Sequence, residues 1–194
     1  VPDILIVGKN LSGGIEPCAG VAARDDILGD NPHASGGSTF AGTPGGCAAG
    51  LKTLEIYQRD NVLGLAQHLA ELAQKRMSDW AEKYSIVSEV RSLGLLMGVS
   101  VTDPTHSDIP EKKSPDTELA NSYMARSVRN EMLKNGVWAI CDMEPTVRLY
   151  PALNMDQQVL LEGLEITEAA IATIEKKGNT VGDYPALPTG VVGF

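Results

Sequence analysis

Three places in this sequence set reactive or charged side chains in surroundings that make them costly. The first is Lys9, which follows the apolar run Ile4-Leu5-Ile6-Val7 and Gly8 and precedes Gly13 and Gly14. An ammonium at the mouth of a buried strand loses much of its hydration. It either pairs with an anion or gives up its proton and becomes a nucleophile. The glycine that a phosphate-gripping P-loop needs upstream of its lysine is absent here, where Asp3 and Ile4 stand instead. The second place is Ser38-Thr39, flanked by Gly36-Gly37 and Gly42. Hydroxyls and backbone N–H groups between glycines suit a phosphate or another oxyanion, and equally a loop that only needs tight turns. The third is Arg148 in TVRLYPALN, an arginine inside an otherwise apolar strand. Burying it alone is expensive, so it grips a carboxylate in bidentate fashion or closes an ion pair with one of the chain's own acids.

The elements around these residues alternate between strand and helix, which is α/β or α+β organisation. Ile4 to Val7 and Cys18 to Ala23 read as strands, with a single helical turn over Arg24 to Leu28. Residues 30–46, DNPHASGGSTFAGTPGG, are loop chemistry, and so long an irregular segment is uncommon unless it serves a site. A helix follows over Cys47 to Tyr57. Another starts near Asp60 as N-cap, its stripe Val62, Leu65, Leu69, Leu72, Ala73, Met77, Trp80 and Tyr84 stepping by three or four. Strands are expected over Ile86 to Val90 and Leu95 to Val101, with Arg91 to Gly94 as the turn between them. Asp103 to Pro115 reads as a surface loop. Ser114-Pro115 opens a helix that ends before Gly136, by hydroxyl cap and first-turn proline. Val137 to Cys141 and Thr146 to Tyr150 read as short strands. Gln157 to Lys177 reads as the last helix, capped by Asp156 or Asn154 with Lys176-Lys177 at the negative end of its dipole. The tail from Gly178 to Phe194 reads as irregular.

Composition narrows the partners. The chain carries 25 acidic and 16 basic side chains, a formal net charge of −9, which disfavours nucleic acid or an anionic membrane as the main partner. No apolar run approaches the ~18 residues of a membrane span. Cys18, Cys47 and Cys141 form neither a disulfide framework nor a metal-binding pattern, which fits a reducing, cytoplasmic compartment. His33, His68 and His106 do not cluster in the sequence, so no metal site is expected. A strand that reads as buried needs neighbours on both sides, so Val1 looks like the middle of a domain.

Four blocks, PDILIVGKNLSGG, GGSTFAGTPGGCAAGLKTLEIY, VRSLGLLMGVSV and VRLYPALNMD, follow one another in an order and spacing that resembles the class-III aminotransferases among the fold-type I pyridoxal-phosphate (PLP) enzymes. The resemblance implies an α/β fold. Residues 1–60 would be a remnant of the three-layer, PLP-binding large domain, and residues 61–194 a small α+β C-terminal domain. It implies that Lys9 forms the Schiff base with PLP and serves as catalytic base. It implies that Ser38 and Thr39 are cofactor-binding, Thr39 reaching the cofactor phosphate of the neighbouring subunit in a homodimer, and that Arg148 binds the substrate carboxylate. Arg91 to Gly94 matches a structural turn and is assigned no chemistry.

The reaction so implied moves an amino group between an amino acid or ω-amine donor and a 2-oxo acid. The aspartate, stacking aromatic and phosphate turn that complete such a site would all lie upstream of Lys9. The chain is therefore expected to be the C-terminal portion of the enzyme, with its N-terminal half missing. Glu16, in Glu16-Pro17-Cys18, departs from the family pattern and is either a contact to substrate or cofactor or a surface residue. Racemases and epimerases share these blocks, and the tail ending PTGVVGF is faintly similar to some of the latter. A non-catalytic interaction module is the alternative of another class.

Overall fold

The computed structural model describes residues 1–29, 39, 42–104, 115–141 and 144–177, with the backbone alone over 115–120. Ser38, His33, His106, most of the 30–41 loop and the tail after Lys177 lie outside the described residues. The chain divides into two compact units, Val1–Leu63 and Gly64–Phe194.

The first unit holds β1 (Ile4–Val7), β2 (Gly20–Ala23), α1 (Asp25–Leu28) and α2 (Pro44–Arg59). β1 and β2 form a two-stranded antiparallel sheet, Val7 opposite Gly20 and Ile4 opposite Ala23. α2 starts earlier than the expected Cys47. Thr43 is its N-cap, the hydroxyl accepting from the Gly46 N–H, and Pro44 occupies the first turn. Asp60 closes this helix instead of opening the next. Asn61 then turns the chain at φ 47°, a left-handed conformation that asparagine tolerates better than most residues.

β1 differs from the buried strand the sequence suggests. Ile4, Leu5 and Ile6 stay at 50%, 50% and 76% exposure. One partner strand satisfies one edge and covers neither face. Each of these side chains thus forfeits much of the roughly 1.5–3 kcal/mol that full burial supplies.

The second unit contains the well-packed core. It comprises α3 (Val62–Met77, beginning just before the boundary), α4 (Trp80–Lys83), β3 (Val87–Leu93), β4 (Leu96–Val101), α5 (Pro115–Lys134), β5 (Thr146–Leu149) and α6 (Gln157–Lys177). The helix expected to run unbroken to Tyr84 breaks at Ser78-Asp79. The stripe still buries Leu69, Ala73, Met77, Trp80 and Tyr84, whereas Leu65 is exposed. α6 has the limits expected, and Asp156 rather than Asn154 caps it, its carboxylate accepting from the Gln158 N–H at 2.7 Å.

The sheet is antiparallel in the order β3-β4-β5. Met97, Val99, Val101, Val147 and Leu149 point to the core, where Met124, Val128 and Met132 of α5 and Leu164 and Ile171 of α6 meet them. The opposite face carries Glu89, Arg91, Leu93, Leu96, Gly98, Ser100, Thr146 and Arg148, as period-two alternation requires. Arg91 and Leu93 belong to β3, so the expected four-residue turn contracts to Gly94-Leu95, with Gly94 at φ 60°. Val137 to Cys141 forms no strand. Only Ile140 bridges, exchanging both backbone hydrogen bonds with Arg148 at 3.1 and 2.8 Å.

Candidate functional site

β1 ends at Val7, Gly8 continues extended, and Lys9 opens a 3-10 turn over Lys9–Ser12. Lys9 sits at φ 54°, in the left-handed region. For an L-residue with a side chain that costs about 1–2 kcal/mol. The surrounding backbone holds it there. Leu11 N–H donates to the Gly8 carbonyl at 3.1 Å and Gly13 N–H to that of Asn10 at 2.9 Å. Buried Ser12 donates its hydroxyl to the Glu16 carbonyl, which closes the loop.

The Lys9 side chain is exposed and makes no ion pair or hydrogen bond among the described residues. The sequence leads one to expect an amine stripped of water; within its own unit Lys9 is not. The reason is the one given for β1, whose faces carry no covering layer. Thr39, a turn residue, is exposed as well, and no hydrogen bond joins it to Lys9.

Helix α2 presses close against this loop through glycines. At Gly46 a Cβ would lie 2.9 Å from the Thr43 hydroxyl and 3.0 Å from the Pro17 carbonyl, and at Gly50 it would face the Cys18 sulfur at 3.6 Å. Gly45 is different, since the nearest atoms to a Cβ there are the carboxylate end of Glu16, at 2.7 Å. Glu16 thus stands at the first turn of α2, where a helix favours negative charge. That position accounts for the residue structurally.

A prediction follows from the contrast. Gly46→Ala should cost about 1–2 kcal/mol, by pushing on backbone and cap together. Gly45→Ala should cost little, because an exposed glutamate can swing aside. Chemical denaturation of the two variants side by side checks this.

In the second unit Arg148 lies half-buried on β5, its backbone paired with Gly98 of β4 on one side and Ile140 on the other. Hydrogen bonds on both edges fix where its side chain begins. It projects from the solvent face of the sheet and lines a shallow cavity of about 380 Å³ together with Arg91, Thr146, Tyr150 and Glu144. Arg91, expected in a turn, stands on β3 instead. Continuing the alternation of β3 by two residues would have put it on the Arg148 face.

The same unit holds a buried carboxylate. Glu168 accepts from Arg76, from Lys83 at 2.6 Å and from the Tyr84 hydroxyl at 3.0 Å. Burial pushes its carboxyl up, but Lys83, Arg76 and Tyr84 together outweigh burial and hold it below the usual range. Among the described residues no group of histidine, cysteine, aspartate and glutamate could hold a metal ion. No helix there is long and apolar enough to cross a membrane.

Comparison with known proteins bears on these residues together. The family model for aminotransferase class-III matches residues 1–171. A probable 4-aminobutyrate aminotransferase of Bacillus subtilis is 26% identical over 171 residues, 88% of this chain and 37% of that protein. A leucine/methionine racemase of Thermococcus litoralis is 29% identical over 182 residues, 94% of this chain and 38% of that protein. The crystal structure of an acetylornithine aminotransferase from Elizabethkingia anophelis superposes with a TM-score of 0.73 at 29% identity, covering 90% of this chain and 40% of that one. The chain belongs to the class-III aminotransferase family and has the α/β fold of those enzymes. It spans less than two-fifths of the length of the two curated relatives.

Proposed function

We propose that this chain supplies the lysine and the carboxylate-binding arginine of a PLP-dependent transaminase. The enzyme would move an amino group between an amino acid or ω-amine and a 2-oxo acid. The observation that carries the reading is Lys9, a lysine held in backbone strain at a strand end, where glycine would be the cheaper residue. Strain of that kind persists where the position of a side chain matters more than its cost.

The residues fit the cofactor by their chemistry. An accessible primary amine with no described ion pair suits an aldehyde. An exposed threonine hydroxyl suits a phosphate, with Thr39 reaching that of the neighbouring subunit in a homodimer, and Ser38 assigned beside it on sequence grounds alone. When bound, PLP provides the electron sink that lets the substrate α-carbon lose a proton. Lys9 would hold the cofactor through its neutral amine and, once the substrate amine has displaced it, the freed amine would take that proton from the substrate α-carbon and hand it on. Arg148 orients the substrate through its carboxylate.

The neutral amine is favoured by burial, which unit one does not give Lys9 by itself. We propose that the cover over Ile4, Leu5, Ile6 and Lys9 comes from the region that the longer relatives have and this chain does not. On this reading Val1–Leu63 belongs to the cofactor-binding domain and the rest is the small domain. A reducing cytoplasmic setting agrees with Cys18, Cys47 and Cys141, none of which forms a disulfide among the described residues.

The racemase relative supports a second reading, inversion at the α-carbon, which needs the same lysine. Incubating the full-length, PLP-loaded protein with single-enantiomer amino acids and a 2-oxo acid separates the two. Transamination consumes the 2-oxo acid in step with the donor. Inversion of the donor with the 2-oxo acid untouched would replace the first reading with the second.

A further inference from the structure

We infer that Arg91 is a second carboxylate-binding arginine, acting with Arg148 across Gly98. The inference rests on the proposed role of Arg148 and extends it. Arg91 on β3 pairs in register with Gly98 on β4, and Gly98 pairs in register with Arg148 on β5. Residues opposite one another share a face, so the two arginines flank a position that has no side chain. Their Cα atoms stand two strand spacings apart, roughly 10 Å. Two arginine side chains close that span onto one small anion.

The glycine keeps the space open. A Cβ at position 98 would lie 3.2 Å from the Thr146 methyl group and start to fill the floor between the two arginine positions on this face. Hydroxyls complete the floor, with Ser100 and Thr146 hydrogen-bonded at 3.2 Å and an Arg91 guanidinium N–H donating to Ser100 at 3.4 Å. Both arginines line the same cavity of about 380 Å³.

Glu89 faces the Arg91 Nε at 3.4 Å in an exposed pair, the kind that contributes little and is readily exchanged for another carboxylate. Glu144 also lines the cavity. Two guanidinium groups on one face of the sheet favour substrates that carry a carboxylate at this end over amines that carry none.

The test is an equilibrium titration of the full-length protein with propionate and, separately, propylamine, read by ligand-observed NMR, which does not depend on turnover. Arg91→Gln should weaken propionate about tenfold, the worth of one charge-assisted hydrogen bond at an exposed residue. The preference for propionate over propylamine should fall by the same factor, and Arg91→Lys should restore part of it. Arg148→Gln should weaken propionate at least as much. Because Arg91 is exposed, thermal melting should register little change, so lost binding reads as lost contact. If Arg91→Gln leaves propionate binding intact while Arg148→Gln weakens it, the inference falls and the role of Arg148 stands. If neither substitution matters, both fall.

Discussion

Lys9→Gly is expected to cut turnover of the full-length enzyme by on the order of ten-thousandfold or more while slightly raising stability. The loss is large because one amine is asked to be both covalent partner and proton carrier. A positioned base alone is worth about 10²–10⁴-fold, and groups that act as a unit fail together. The stability gain follows from φ 54° at this residue. Relieving a left-handed non-glycine residue returns about 1–2 kcal/mol, and the extra freedom of glycine in the unfolded chain takes back about 0.5–1. The net is a gain of up to about 1.5 kcal/mol. Lys9→Arg keeps the charge without the nucleophile and should be as inactive. Steady-state rates and denaturation midpoints on the same preparations check both halves, and an active Lys9→Arg enzyme would rule out the covalent role.

The second large effect is on folding. Glu168→Ala strips Arg76, Lys83 and Tyr84 of the acceptor that ties α3 and α4 to α6. Breaking a buried pair from one side costs about 3–5 kcal/mol. Here Arg76 is 32% and Lys83 50% exposed, and water recovers part of their solvation. About 2–3 kcal/mol is therefore expected.

The pH dependence follows from the direction of the shift. The Glu168 carboxyl is held low in the fold, so its contribution is complete above the unfolded value of about 4.3 and is lost as pH falls through the lower folded one. Glu168→Gln should flatten that acid limb. In the 194-residue chain both tryptophans, Trp80 and Trp138, fall within Gly64–Phe194. Their fluorescence in urea at neutral and acid pH reports on this unit.

The second unit was legible in the sequence because it satisfies its own patterns. The last helix had a clear period, an aspartate cap and lysines at its end, and it appears with the limits they imply. A local signal misleads where its neighbour overrides it. Thr43-Pro44 is a cap-and-proline opening of the kind expected at Ser114-Pro115, where α5 begins at Pro115 and Ser114 lies outside the described residues; at Thr43 the two glycines after it obscure the start of α2. Asp60 has the side chain of a helix opener, but it closes α2, and the left-handed Asn61 separates it from α3. Ser92 and Gly94 made Arg91 look like part of a turn, and this hid the arginine that stands in register with Gly98.

Lys9 is the instructive case. Its type and position were readable, but its burial was not. Burial depends on what covers β1, and an apolar strand states only that cover is needed. The exposed Ile4, Leu5 and Ile6 are that need made visible.

The central claim is that Lys9 bonds to the cofactor. Borohydride reduction of the full-length, PLP-loaded protein, followed by peptide mapping in a mass spectrometer, tests it directly. The account predicts a phosphopyridoxyl group on the peptide containing Lys9, and none on that peptide in Lys9→Ala. A label on another lysine, with the Lys9 peptide unmodified, would contradict it.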